Sequence, residues 1–111
     1  MNKLWKCSVC GFVHQGDEAP DKCPKCDVDK SNFSLLTDED TQKIYASDRT
    51  NDIHMNMIKD CVKMIHLCDE GIKLNLDPAC VKAFERAKNE LWMIKQRAKA
   101  ELAGHMGKGK W

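Results

Sequence analysis

Apolar residues recur with a helical period through the second half of the chain. The first such seam has five members at alternating intervals of three and four residues: Ile58, Cys61, Ile65, Cys68 and Ile72. This heptad spacing is typical of a helix that buries one side against a neighbour. Further apolar side chains flank the seam at Met55, Met57, Val62 and Met64. Because a simple helix pair needs only a narrow seam, the wider face predicts more than one packing neighbour.

A second helix is predicted to begin at Asp77 and Pro78, since aspartate caps helix N-termini and proline suits the first helical position. Its seam has six members: Cys80, Phe84, Ala87, Leu91, Ile94 and Ala98. Gly71 either caps an earlier end of the first helix or lies inside its last turn. We therefore predict an antiparallel α-helical hairpin over residues 53–106, followed by a basic tail over residues 107–111.

Residues 1–36 show no helical period and are rich in glycine, proline and aspartate. Their strand-like pieces are short, at Lys3–Lys6 and Gly11–His14. A segment of this size buries too little apolar surface to fold without a disulfide or a metal. Residues 37–52 are polar, and we predict a linker there that has room for one short helix capped by Thr37.

Four of the seven cysteines form two Cys-x-x-Cys pairs with twelve residues between them: Cys7, Cys10, Cys23 and Cys26. Two residues between paired thiols let a tight turn direct both sulfurs at one ion, so the spacing predicts a metal site. Gly11 follows the first pair, where a left-handed backbone is needed, and Asp27 holds the same place after the second pair. Tetrahedral sulfur ligation suits zinc or iron, and the spacing leaves the ion open.

The stretch WKCSVCGFVHQGDEAPDKCPKCDVDKSNFSLL resembles the rubredoxin-like domain of the rubrerythrins. That family has the pattern W-x-C-x-x-C-G-[YF]-x-H-x-G-x-x-A-P-x-x-C-P-x-C, then Phe-x-Leu. The chain matches it at Trp5, Cys7, Cys10, Gly11, Phe12, His14, Gly16, Ala19, Pro20, Cys23, Pro24, Cys26, Phe33 and Leu35. The resemblance covers roughly the first third of the chain.

This resemblance implies one iron held by the four cysteines as an Fe(SCys)₄ centre that changes between Fe(III) and Fe(II). Four thiolates keep a similar geometry around both oxidation states, which favours fast electron transfer, and its potential is set by hydrogen bonds to sulfur, burial and charge. A small apolar shell is expected around the centre, formed by Trp5, Phe12, Pro20 and Phe33.

The resemblance does not extend to the helices. Rubrerythrins also carry a ferritin-like bundle with a di-iron peroxidase site, which requires inward glutamates and Glu-x-x-His motifs. The hairpin has no Glu-x-x-His, and its seam is apolar. Three further candidate metal ligands lie on seam positions at the open end of the hairpin: His54, Glu101 and His105. They form either a second metal site or only the polar end of the bundle. The other cysteines (Cys61, Cys68, Cys80) are expected to be small buried side chains, with a Cys68–Cys80 dithiol as the alternative.

Charge adds one feature to this picture. The net charge is +1, but eight basic and three acidic residues follow from Lys82 onward. This cationic region is either a solvated helix face or a docking surface for an acidic partner. We expect no nucleic-acid partner, and no membrane span, because no apolar run approaches the ~18 residues that a span needs. No leader pattern precedes Cys7, so a cytoplasmic protein is expected.

These observations together predict an electron-transfer protein with one Fe(SCys)₄ centre. It is not expected to be an enzyme itself, but a carrier or an accessory subunit of an oxidoreductase. The hairpin would serve for homo-oligomerisation or for docking to a redox partner. The alternative is a zinc-ribbon adaptor, in which zinc only stabilises the fold and the hairpin binds a partner protein.

Overall fold

The computed structural model describes all residues from Met1 to Trp111. The chain forms two compact units, Met1–Tyr45 and Ala46–Trp111. Three short strands and two long helices follow in chain order: β1 (Leu4–Cys7), β2 (Val13–Gln15), β3 (Phe33–Leu35), α1 (Asp38–Leu74) and α2 (Pro78–Gly107). This confirms the predicted fold class, a small β/loop domain with clustered cysteines followed by an α-helical hairpin.

The sheet of the first unit has β1 at its centre, with β2 and β3 antiparallel on either side. Trp5 in β1 lies opposite His14 on one side and Leu35 on the other. Its indole Nε1–H donates to the backbone oxygen of Gly16 at 3.0 Å, which closes the end of the β1–β2 hairpin. Because β1 ends at Cys7, the sheet brings the first cysteine directly to the metal site.

Helix α1 is longer than the sequence predicted. It begins at Asp38, where the Thr37 hydroxyl accepts a hydrogen bond from the Asp40 N–H at 3.1 Å, and it continues without a break to Leu74. Residues 38–52 therefore belong to α1 and form no linker, whereas the helix start predicted at Thr37 is present. This segment holds neither proline nor glycine. The acidic side chains of its first turn interact favourably with the positive end of the helix dipole and so stabilise the start of the helix. Its polar composition reflects solvent exposure of a helix.

The second unit contains the predicted pair of seams. Its buried apolar cluster comprises Cys61, Cys68 and Leu91, with Ile65, Phe84, Ala87 and Ile94 packed against it. Asn75 ends α1 with a left-handed backbone, φ 48°, and Gly71 lies inside the helix. Asp77 caps α2 as predicted, because its Oδ1 accepts from the N–H of Cys80 at 2.8 Å. Neither α1 nor α2 is both long enough and apolar enough to cross a membrane.

A buried asparagine ties together the open end of the hairpin. Asn51 donates from Nδ2 to the backbone oxygen of Lys110 at 2.8 Å. Because a carbonyl oxygen only accepts hydrogen bonds, this contact fixes the orientation of the Asn51 amide group. The Oδ1 of Asn51 then faces Nδ1 of His105 at 2.5 Å. The Nδ1 of His105 therefore carries a hydrogen. The residues after α2, predicted as a basic tail, are held to the helices by this contact.

Replacing Asn51 by alanine is expected to lower the free energy of unfolding of the second unit by about 1–2 kcal/mol, since the buried His105 and the half-buried Lys110 backbone lose their hydrogen bonds. Urea unfolding followed by far-UV circular dichroism measures this. Asn89→Ala, at an exposed asparagine of α2, is the control and should change stability by less than about 0.5 kcal/mol. Equal effects of the two variants would contradict the role of this contact.

Candidate metal centre

The four cysteines of the two Cys-x-x-Cys pairs converge on one point. Their sulfur atoms all lie within 4.8 Å of one another. The Cys7 and Cys26 sulfurs are 3.8 Å apart, and those of Cys10 and Cys23 are 3.5 Å apart. Sulfur–metal bonds of about 2.3 Å in a tetrahedron place neighbouring sulfurs about 3.8 Å apart. The donor set therefore has the size and shape that a tetrahedrally bound zinc or iron ion requires.

Each pair is shaped by the same tight turn. Gly11, after the first pair, has φ 80°, and its N–H donates to the Cys7 oxygen at 2.9 Å. Asp27, after the second pair, has φ 62° and donates to the Cys23 oxygen at the same distance. The predicted left-handed positions are confirmed. Two equivalent turns thus present the sulfurs to a shared centre from opposite sides.

Backbone N–H groups in these turns favour the thiolate form. The N–H of Cys10 lowers the pKa of the Cys7 thiol more than burial raises it. Burial also raises the pKa of Cys23, but the N–H groups of Cys26 and Lys25, together with hydrogen bonds from the Cys10 and Cys26 thiols, outweigh it and bring that pKa to about 7. Both thiols therefore give up their proton to a metal ion more readily than an ordinary cysteine does.

Cys26 shows the opposite behaviour. The N–H of Val28 favours the thiolate form of Cys26. Burial and the neighbouring thiols of Cys10, Cys23 and Cys7 nevertheless raise the pKa of Cys26 to about 12. Four adjacent thiolates repel one another, so all four are ionised near neutral pH only when a cation lies between them. The electrostatics, like the geometry, fit a bound metal ion.

An apolar shell surrounds the sulfurs on the protein side. Cys7 and Cys23 are 1% and 0% exposed and cluster with buried Ala19 and Phe33. Trp5, Phe12 and Val28 pack against this cluster, and Pro20 is half-buried. Cys10 and Cys26 are also only half-buried, and Cys10 accepts a hydrogen bond from the Phe12 N–H at 3.4 Å. The centre is thus enclosed on one side and reachable from the other.

The second set of candidate ligands does not form a site. His105 Nε2 lies 3.4 Å from a carboxylate oxygen of Glu101, and the rings of His54 and His105 are 6.2 Å apart between centroids. Only the four N-terminal cysteines bring three or more such ligand atoms close enough to share an ion. The sequence did not predict a role for Asn51, whose Oδ1 accepts a hydrogen bond from Nδ1–H of His105. Asn51 lies on the seam three residues before His54, and a polar residue at that position was the only indication of this contact.

The remaining cysteines are free. Cys61 and Cys68 are buried in the hairpin, which confirms the prediction for these two residues. Cys80 is only half-buried, because it lies in the first turn of α2 beside the capping Asp77. No disulfide joins Cys68 and Cys80.

Comparison with known proteins agrees with the geometry of the first unit. Residues 5–34 match the family model described as "Rubrerythrin, rubredoxin-like domain". The N-terminal third of the chain is a rubredoxin-like domain. The matched segment begins within β1, contains both cysteine pairs and β2, and ends within β3.

Curated relatives match over the same part of the chain. The rubrerythrin of Clostridium perfringens is 65% identical over 33 residues, which is 30% of this chain and 17% of that protein. The rubrerythrin of Nitratidesulfovibrio vulgaris is 50% identical over 32 residues, 29% of this chain and 17% of that protein. Reverse rubrerythrin-1 of Clostridium acetobutylicum is 46% identical over 37 residues, 33% of this chain and 20% of that protein. The match thus spans a fifth or less of these relatives, and no solved structure matches the chain.

Proposed function

We propose that the four cysteines hold one iron ion and that the chain is an electron carrier, or an accessory subunit that carries electrons for an oxidoreductase. The observation that supports this is the closed set of four converging sulfurs within a rubredoxin-like domain. When bound, iron supplies a one-electron Fe(III)/Fe(II) couple. Because the protein provides all four ligands, no position is left for a substrate, which favours a carrier over a catalyst.

The protein groups around the sulfurs suit this role. N–H groups such as that of Phe12 stabilise negative charge on the sulfurs, and Phe33 and Ala19 exclude water from the inner side. The half-buried sulfurs of Cys10 and Cys26 give a redox partner its closest approach. All seven cysteines are free, which fits a reducing, cytoplasmic setting.

A second candidate function is a zinc-stabilised adaptor. It is supported by a groove of about 320 Å³ between α1 and α2, with Trp92 half-exposed at its edge. Lys88 and Lys95 also line this groove, and the Lys95 ammonium lies 4.4 Å from the centre of the Trp92 ring. Asp69 also lines this groove and forms an ion pair with Lys88, so Lys95 beside Trp92 is the cation left to meet an acidic side chain of a partner protein.

A spectroscopic redox titration separates the two functions. Protein from iron-replete cells should show a visible absorption that is lost on reduction and recovered on reoxidation, with one electron per chain. The same protein loaded with zinc is the control and should show no such change, because zinc has no second oxidation state in proteins. An iron-loaded protein that cannot be reversibly reduced would contradict the carrier function.

A further inference from the structure

Helix α1 carries a second apolar stripe whose large side chains remain exposed in the folded chain. Five large side chains form this α1 stripe, and each is between 41% and 75% exposed: Ile53, Met57, Met64, Leu67 and Leu74. They keep the heptad spacing of the buried seam, with Asp60 and Gly71 at the two remaining positions; Asp60 is exposed, whereas Gly71 is buried under the Phe84 ring of α2. The stripe extends over 21 residue steps, which is about 32 Å of helix. A regular, elongated apolar stripe has the form of a helix–helix contact surface.

The exposed area of the whole chain, with both units included, is large enough to leave room for a further contact. The chain exposes 7836 Å², whereas a folded monomer of 12.7 kDa exposes about 6,200 Å². A standard specific interface covers about 800 Å² on each partner. The excess of about 1,600 Å² is thus enough for one such interface.

The polar edge of the stripe indicates which neighbour fits. Four residues at seven-residue intervals follow this edge: Arg49, Asn56, Lys63 and Glu70. Neither Arg49 nor Glu70 forms an ion pair within its own chain. If a second copy of α1 ran antiparallel, Arg49 would meet the partner's Glu70 at both ends of the contact. A parallel copy would instead place Arg49 on Arg49 and Glu70 on Glu70, which is repulsive.

We propose that two copies of the chain pair through this stripe, with their α1 helices antiparallel about a two-fold axis near Asp60. In this register Ile53 packs against the partner's Leu67, and Met57 packs against the partner's Met64. Each copy presents the same surface, as a two-fold interface requires. The proposal does not depend on which metal the cysteines hold, and it stands or falls separately from electron transfer.

The assembly is tested by sedimentation equilibrium of the metal-loaded full chain. The wild type should have twice the monomer mass of 12.7 kDa. The double variant Met64→Lys/Leu67→Lys should raise the dissociation constant at least roughly a hundredfold, because it removes apolar contacts and places like charges in the interface. Both positions are exposed, so circular dichroism should show an unchanged fold.

The matched control is Met55→Lys/Val62→Lys, on the opposite side of α1, which should leave the dimer intact. Two results would overturn the proposal: a wild type that stays monomeric at about 100 μM, a concentration far above typical dissociation constants of specific dimers, or a dimer that is lost in the control variant but kept in the stripe variant. A stripe that binds only a different protein would appear as the first of these results.

The antiparallel direction is tested by exchanging charges at the stripe's edge. Arg49→Glu and Glu70→Arg should each weaken the dimer by roughly three- to tenfold, because each places like charges together at both ends. The double variant restores opposite charges and should return to near wild-type affinity. If the two effects add instead, the antiparallel register is wrong. Asp60→Leu should tighten the dimer, since it removes the charge nearest the axis.

Discussion

Cys23→Ser is expected to abolish tight metal binding and to unfold the N-terminal unit, Met1–Tyr45. The Cys23 side chain is completely buried at the centre of that unit, and few apolar residues accompany it there. Structural zinc sites of this kind contribute about 10–16 kcal/mol of apparent binding free energy near neutral pH, more than the stability of most small domains. Metal analysis of the purified variant and its amide proton NMR spectrum measure the two losses.

Cys80→Ser provides the control, since it makes the same substitution at a free, half-buried cysteine of α2. It should keep one metal per chain and the full spectrum of the first unit. If Cys23→Ser retained stoichiometric metal and a folded first unit, the assignment of the four cysteines as the ligand set would be wrong.

Gly71→Val is expected to destabilise the helical hairpin by about 3 kcal/mol. A Cβ atom at this position would lie 2.5 Å from Cζ and 2.6 Å from Cδ2 of the Phe84 ring, far inside contact distance. The glycine lowers the intrinsic helix propensity of α1 by about 1 kcal/mol relative to alanine, yet it lets the ring pack directly on the backbone. Thermal unfolding followed at 222 nm, a helix signal, measures the loss.

Two comparisons isolate the effect of the Phe84 ring. Gly104→Val makes the same change in α2, where no atom would approach the new side chain, and should alter stability by less than about 1 kcal/mol. In a Phe84→Leu background, the cost of Gly71→Val should fall substantially, because the smaller side chain can move away. An equal cost in both backgrounds would show that the ring does not determine the need for glycine.

The metal site could be predicted from the sequence because its geometry is local. Each Cys-x-x-Cys turn is closed by the residue that follows it, and the left-handed backbone of Gly11 and Asp27 follows from that turn. Asp77 as the cap of α2 was predictable for the same reason, since a cap depends on residues within one turn. The two seams of the hairpin were predictable from their spacing.

Features that depend on solvent exposure or on distant partners were not predictable in this way. The polar stretch at the start of α1 has the composition of a linker, but nothing in it breaks a helix, and composition alone does not separate a solvated helix from a loop. Asn51 was missed because its partners, His105 and Lys110, lie more than 50 positions away in the chain. The close packing of Gly71 on Phe84 likewise joins two helices.

The identity of the bound ion decides between electron transfer and a structural zinc site. Protein purified from iron-replete cells should contain one iron per chain and show thiolate-to-Fe(III) absorption bands in the visible range that disappear on addition of dithionite. A colourless protein with one zinc per chain from the same cells would contradict electron transfer and would leave the hairpin as the functional part of the molecule.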